Sequence, residues 1–330
     1  MALRASNVSR RLSALLVAGA VVLAGAIVPT SIAHAAGSAQ HEPGLYISVG
    51  DPTQLTRGQI DADGKLTMET VGAPAATTYN ALAAHLPTSS LYAIANNGGT
   101  LLRILDDGSV ENVINSDGGI TRFGSSSSAA AFGAGAFEDQ LFYVANGGRE
   151  LGCFDVVASN SCGVKTLPQK FEPIGMAWND GFFWGLSGTG NQAKLTRVSL
   201  DGAVTPGAIP ALDSSRVKSG SFGAAWTYGN GNLGFMSNGG GSVQIKITSV
   251  DPIAAEVVGY STGETSNQLD GAMIPPPPGD VALKVASERT GAGDTHLVTA
   301  TVHNVGSTLI TGYQLRLAPD TADTRPVTAP

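Results

Sequence analysis

A phrase made of short strands recurs along this chain about every 40–50 residues. It starts with a run of small residues. A Leu or Phe followed by Tyr or Trp comes next, then an Asn/Gly turn, a Leu-x-Arg-Ile/Val strand and an Asp-Gly turn. The phrase is clearest at Asn80–Val113, Gly135–Leu167, Gly175–Ile209 and Gly223–Val257. A unit of that length cannot bury its own apolar face and must stack on its neighbours. For repeated sheets of short strands, the closed solution is a β-propeller.

The two ends of the repeat region complete each other. Gly44-Leu45-Tyr46-Ile47 enters directly at the Leu-Tyr strand, followed by Leu55-Thr56-Arg57 and Asp61–Leu66, with no small-residue strand before it. That missing strand stands at the far end as Asp270-Gly271-Ala272-Met273. It aligns with Asn80-Ala81-Leu82, Gly135-Ala136-Phe137, Gly175-Met176-Ala177-Trp178 and Gly223-Ala224-Ala225-Trp226. A blade shared between the chain ends closes a ring and leaves no unpaired inner edge. The count is five units; the long connections Asn115–Gly133 and Pro210–Gly220 leave room for six or seven.

Within a unit, small residues suit the crowded strand nearest the axis, while Tyr92, Tyr143, Trp178, Trp184 and Trp226 suit the wider packing between blades. Leu101–Leu105 and Leu195–Leu200 alternate with the period of strands. Asn97-Gly98, Asn146-Gly147, Asn230-Gly231 and Asn238-Gly239 supply residues that tolerate positive φ in tight hairpins. Ser125–Ala131 reads as a low-complexity loop between blades. With 43 Gly and only 14% charged residues, and no sustained 3.6-residue apolar period after the leader, the chain reads as all-β.

Residues 1–35 read as a signal peptide. Arg4, Arg10 and Arg11 form a basic start, Leu12–Val28 an apolar run ended by Pro29, and Ala33-His34-Ala35 a small-x-small cleavage signal before Ala36. Removing those three arginines takes the formal net charge from −7 to about −10. Nucleic acids and anionic membranes attract basic patches, so neither is an expected partner. No membrane span is expected once the leader is gone, and a monomer is expected. The two cysteines, Cys153 and Cys162, flank the turn residues Ser159-Asn160-Ser161. In an exported chain they read as a disulfide clamping one hairpin, and neither a metal-ligand nor a redox spacing is present.

Pro275–Gly279 is a stiff polyproline-type spacer that marks the end of the propeller domain, 36–274. In 280–330, Val281–Val285, Thr295–His303 and Gly312–Leu317 alternate as strands, and Asp320–Pro330 reads as disordered. An immunoglobulin-like sandwich needs about 100 residues and seven strands, so this stretch is a partial β-domain.

The Asp-Gly-Ala opening strand, the Leu-Tyr strands and the Leu-x-Arg-Ile/Val…Asp-Gly tails over Gly44–Ile274 resemble a family of secreted actinobacterial β-propellers of unknown function. In that family a Pro-rich spacer often leads to immunoglobulin-like repeats. Asp280–Lys284 and Val298–Gly306 resemble adhesin-type repeats, a pattern this chain leaves after Leu317. The resemblance implies a surface or extracellular module and brings no catalytic residues.

Candidate chemistry is sparse. Asp61-Ala62-Asp63-Gly64 has the start of a calcium loop but lacks its later ligands, and Asp-Gly recurs at Asp107 and Asp201 as a turn. Asn96, Asn97, Asn146, Asn191 and Asn238 fall at equivalent places. They read either as a ring of amides at a channel mouth, able to bind a sugar or cation, or as left-handed turn residues. Arg57, Arg103, Arg197 and Lys246 read as a face attracting an acidic ligand or as strand residues whose stems cover apolar neighbours. Of the histidines, His41 is placed at a frayed mature N-terminus and His85 in a turn. No cofactor and no local catalytic motif is read. The expected function is a secreted or cell-wall-associated binding or structural module for an extracellular glycan or protein. The alternative is a propeller hydrolase or lyase acting on a carbohydrate or lactone, with a divalent cation at the axis. The lining of the central channel discriminates the two.

Overall fold

The computed structural model describes residues 39–60, 66–96, 99–123, 134–145, 148–263, 265–276, 281–289 and 296–304. The leader with its Ala35–Ala36 junction lies outside them. So do Asp61–Gly64, the Asn97-Gly98 and Asn146-Gly147 turns, the Ser125–Ala131 loop, the Gly312–Leu317 strand and the chain end.

The repeat forms five four-stranded antiparallel sheets. The first contains β1 (Gly44–Val49), β2 (Gln54–Ile60) and β3 (Leu66–Val71). The second is β4 (Tyr79–His85), β5 (Ser90–Ala95), β6 (Leu101–Ile104) and β7 (Val110–Asn112). The third is β8 (Ala134–Glu138), β9 (Leu141–Ala145), β10 (Glu150–Asp155) and β11 (Asn160–Thr166). The fourth is β12 (Ala177–Asn179), β13 (Phe182–Ser187), β14 (Lys194–Ser199) and β15 (Val204–Ala208), and the fifth β16 (Phe222–Thr227), β17 (Leu233–Ser237), β18 (Ser242–Ser249) and β19 (Ala254–Ser261). Then β20 (Leu269–Ile274) returns to the first sheet and pairs with β1, from Gly44↔Ile274 to Val49↔Leu269. The ring therefore closes with Asp270–Met273 as the inner strand of the first blade, and the blade number is five.

The inner strands β20, β4, β8, β12 and β16 each touch the next around the axis. Their small residues are a steric requirement. A Cβ on Gly135 would lie 2.2 Å from the Ala81 carbonyl oxygen of the neighbouring blade, and one on Gly223 2.3 Å from that of Leu269. Farther out the gaps widen and are filled by five apolar clusters, one for each blade interface. Tyr46 and Tyr79 belong to that between blades 1 and 2, and Tyr92, Phe137 and Phe142 to that between 2 and 3. Phe171 and Phe183, with Tyr143 and Trp178 at the edge, fill the interface of 3 and 4. Trp184 and Phe235 fill that of 4 and 5, and Trp226 that of 5 and 1. Full burial of such rings dominates packing energetics.

The long connections add no sixth blade among the described residues. They contribute isolated bridges (Ile114↔Ile120, Thr100↔Arg122, Gly190↔Leu212, Ser187↔Ser221) and drive Phe123, Leu212 and Val217 into the interfaces. Positive φ falls at Gly231, as expected, but at Gly240 and Gly241 rather than at Asn238-Gly239.

Separately, β21 (Val281–Arg289) and β22 (His296–Asn304) form a two-stranded sheet; β21 runs past the expected Val281–Val285, and β22 is displaced by one residue from Thr295–His303.

Candidate binding groove and the two rims

Antiparallel blades give the ring two unlike rims. Inner strands begin at one, beside the turns that join second to third strands. They end at the other, beside the turns that join first to second and third to fourth strands.

The channel between the rims holds a narrow cavity of about 70 Å³ lined by Gly135, Ala136, Met176, Ala177, Ala225 and Gly271, with Phe137, Trp178 and Thr227 toward the rim where the strands end. Among the described residues, no three His, Cys, Asp or Glu side chains gather closely enough to hold a metal ion.

At the starting rim the polar groups are consumed by ring closure. Asp270 is 2% exposed; one carboxylate oxygen accepts from Gly271 N–H (2.7 Å) and the other from Leu82 N–H across the blade boundary (2.8 Å). Burial pushes its carboxyl well above the usual range, opposed by hydrogen bonds from the Gly271, Leu82 and Ala81 amides. Burial, and secondarily the negative charge of Asp270, raises the Tyr79 phenol. The predicted amide ring resolves the same way. Asn96 Nδ2 donates to Gln268 Oε1 (3.1 Å), and Asn238 Oδ1 accepts from Gly223 N–H (3.0 Å). Asn191 is an exposed turn residue, and Asn97 and Asn146 lie outside the described residues. Asn96 and Asn238 therefore serve as local tethers, one to the segment before the closing strand and one to β16.

Three of the register cations are likewise occupied. Arg57 donates from Nε and Nη2 to the Pro43 carbonyl (3.2 and 2.8 Å). Arg103 pairs with Glu111, its cross-strand neighbour. Arg197 lies over the Phe182 ring, 4.7 Å from its centroid. In blade 3 the equivalent position, opposite the aromatic of the second strand, is Cys153. It is bonded to Cys162 across β10 and β11, with a Cα–Cα distance of 5.1 Å, as a clamp on that hairpin.

The expectation that His41 is frayed is incorrect. It is buried, its amide donates to Ser89 O (2.7 Å), its Nε2 meets Ile104 O (3.0 Å), and its ring packs edge-on against Tyr46 at 5.2 Å. The segment before β1 is thereby fastened to blade 2. His85 is also buried, its Nδ1 bonded to Thr88 Oγ1 (2.7 Å) and its ring 5.0 Å from Phe137. Burial lowers the affinity of both imidazoles for a proton.

The rim where inner strands end carries a different kind of surface. Between blades 4 and 5 lies an open groove of about 540 Å³. Its walls are Asn179 and Asp180 of the β12–β13 turn, Asn230 and Asn232 of the β16–β17 turn, and Lys246, Thr248 and Ser249 of β18. Local geometry fixes these turns. Asp180 takes a left-handed φ of 50°, the Asn179 carbonyl accepts from Trp184 Nε1 (2.9 Å), and Asn230 Oδ1 accepts from Asn232 N–H (3.0 Å). Among the described residues, no hydrogen-bond or ion-pair partner engages the Asp180 carboxylate, the side-chain amide of Asn232 or the Lys246 ammonium. Lys246 falls out of the expected register: the equivalent position in blade 5, opposite Gly234, is Gln244, and Lys246 stands two residues farther along β18, opposite Glu256 of β19. The remaining lining groups escape motif reasoning because the β12–β13 and β16–β17 turns differ in length and composition. Their shared signal is Asn with a neighbouring Gly in adjacent repeats.

Among the described residues no helix is long and apolar enough to cross a membrane. No curated protein matches the chain. Among solved structures, a protein of unknown function from Bacteroides thetaiotaomicron VPI-5482 is similar at 14% identity and a TM-score of 0.45, over 82% of this chain and 71% of that one. The Myxococcus xanthus glutaminyl cyclase is similar at 14% identity and 0.42, over 69% and 92%. A chain of a nidogen/laminin complex is similar at 10% and 0.42, over 71% and 99%. A family model described as a repeat of unknown function (DUF6923) matches residues 46–276, from within β1 to just past the closing strand β20. The chain belongs to that family.

Proposed function

We propose that this chain is an exported binding module whose propeller presents a ligand-binding rim to the extracellular space or cell wall, with an extracellular glycan or protein as its partner. The observation that carries the reading is the distribution of polar groups. Mostly small and apolar residues line the axis, and a groove on the rim is lined by polar side chains, among them Asp180, Asn232 and Lys246, that make no hydrogen bond or ion pair among the described residues. A cation-dependent hydrolase or lyase calls for converging ligands at the axis, where this chain places Gly, Ala, Met and aromatic side chains. Export is supported by the basic start, the apolar run and the Ala33-His34-Ala35 signal, and the clamped cysteines suit an oxidising compartment. The adhesin-like 280–330 region would then hold the propeller at the surface, joined through the Pro-rich spacer.

The test is expression of the full chain in a secreting bacterial host. Edman sequencing of the exported product is expected to begin at Ala36. The purified protein, after metal analysis, is presented to a glycan array and its products are followed by mass spectrometry. Retention without turnover is the expected result. Hydrolysis or elimination products that require a bound divalent cation would overturn the reading in favour of the enzyme.

A further inference from the structure

We propose that the groove between blades 4 and 5 is a saccharide site that takes a neutral hexose unit through adjacent hydroxyls; this rests on the binding reading above.

The donors and acceptors left over in the groove define the ligand. Asp180 offers acceptors alone and Lys246 donors alone. The Asn232 side chain offers both, and Asn230, with its oxygen accepting from Asn232 N–H, keeps its NH₂ as a donor. Thr248 and Ser249 add hydroxyls. A hydroxyl on a sugar ring both donates and accepts. A vicinal pair can therefore donate to a carboxylate on one side while accepting from an amide or ammonium on the other. An apolar ligand finds little here, since the apolar lining is limited to Ile247 and Val250, which pack into the blade interface. A polyanion meets a lining with one lysine and one aspartate, the lysine opposite Glu256, on a molecule that is acidic overall, and a polycation finds a single carboxylate there. The volume, about 540 Å³, falls within the roughly 300–1,000 Å³ of small-molecule sites and leaves room for more than one polar ring.

Trp178, the residue before Asn179, lies on the other face of blade 4, its ring 4.7 Å from Phe183 in the interface of blades 3 and 4, so the groove draws on hydrogen-bonding groups rather than on an aromatic platform.

The experiment uses the mature chain, residues 36–330. A panel of neutral methyl hexosides and their oligosaccharides in gluco, galacto and manno configurations is titrated by calorimetry and by tryptophan fluorescence. Asp180→Asn, Asn230→Asp and, as a control on the opposite rim, Gln192→Ala are measured in parallel, each with a thermal melt. The expected result is saccharide binding by the parent and the control. Asp180→Asn removes the carboxylate and keeps a residue that tolerates the left-handed turn, and Asn230→Asp removes the NH₂ donor and keeps the oxygen that accepts from Asn232 N–H; each is expected to weaken binding roughly tenfold or more at a melting temperature close to the parent's. Binding that survives both groove variants at full strength would overturn the groove assignment and leave the binding-module reading standing. Retention of peptides or charged glycans alone would overturn the ligand class, and turnover of the probes would overturn the binding reading itself.

Discussion

The two rims of this ring are built from the same residue types and use them for opposite ends. Where inner strands begin, Asp270, Asn96, Gln268 and Asn238 are paired with one another or with backbone amides of a neighbouring strand. Where inner strands end between blades 4 and 5, Asp180, Asn232 and Lys246 line the groove, their side chains without partners among the described residues. The difference follows from topology. The starting rim receives the closing strand and must satisfy a junction made by chain ends far apart in sequence. The finishing rim at blades 4 and 5 is formed by local hairpins whose bracing is internal, as where Asn230 accepts from Asn232 N–H, so the Asp180, Asn232 and Lys246 side chains are not needed to tie one blade to the next.

The largest effect expected from this contrast is at Asp270. Asp270→Ala leaves the buried Leu82 and Gly271 N–H groups without their acceptor at the point where blades 1 and 2 meet. A loss of about 4 kcal/mol is expected by urea denaturation. Asp270→Asn keeps one acceptor and is expected to lose less. A cost near zero for both variants would mean that the junction does not depend on the carboxylate, and the distinction between rims would collapse.

Gly223→Ala attacks the same rim by volume. Its Cβ would enter the space of the Leu269 carbonyl, and the inner strands can move apart only by loosening every interface. A destabilisation of about 3 kcal/mol is expected from a thermal melt.

These two positions also show why closure was legible in the sequence. Small residues in register are a direct imprint of crowding at the axis, and a strand missing at one end with a spare at the other has one simple resolution. His41 was misplaced because nothing local marks its contacts; Ser89 and Ile104 belong to another blade. The asparagines were ambiguous because a left-handed turn and a side-chain tether favour the same residue. The groove was hidden for a further reason. It is assembled from Asn179-Asp180, Asn230–Asn232 and Lys246–Ser249, three segments whose proximity depends on the ring closing first.

Reducing Cys153–Cys162 removes a clamp that spans a hairpin on blade 3, away from both the junction and the groove. The chain-entropy loss for so short a loop is about 2–3 kcal/mol. Amide exchange is expected to rise in β10 and β11 while saccharide binding is unchanged. Loss of binding on reduction would couple blade 3 to the groove and break the comparison.

Acid titration probes blade 2, where His41 and His85 are buried and neutral near the ends of β6 and β4. Burial depresses the proton affinity of each below the ordinary value of 6.5. Below that pH the unfolded chain binds more protons than the folded one, so stability rises with pH. It is expected to be intact above pH 6.5 and to fall as the pH drops through the depressed folded values. Double substitution with Gln is expected to flatten that slope; an unchanged slope would place the acid sensitivity in other groups.

The smallest effect sharpens the comparison most. Asp180 is exposed, held in a left-handed turn that its side chain does not brace, and without a partner among the described residues. Asp180→Asn keeps a residue type that tolerates that backbone and removes only the charge. Its stability is expected to stay within about 0.5 kcal/mol of the parent, as is usual for surface changes that break no cap or network. The corresponding change at Asp270, likewise carboxylate to amide, acts where the charge is buried and both oxygens are engaged. Measured together by denaturation, the pair separates a carboxylate that the fold requires from one that the fold leaves available. A cost at Asp180 approaching that at Asp270 would mean that the finishing rim is also part of the closure.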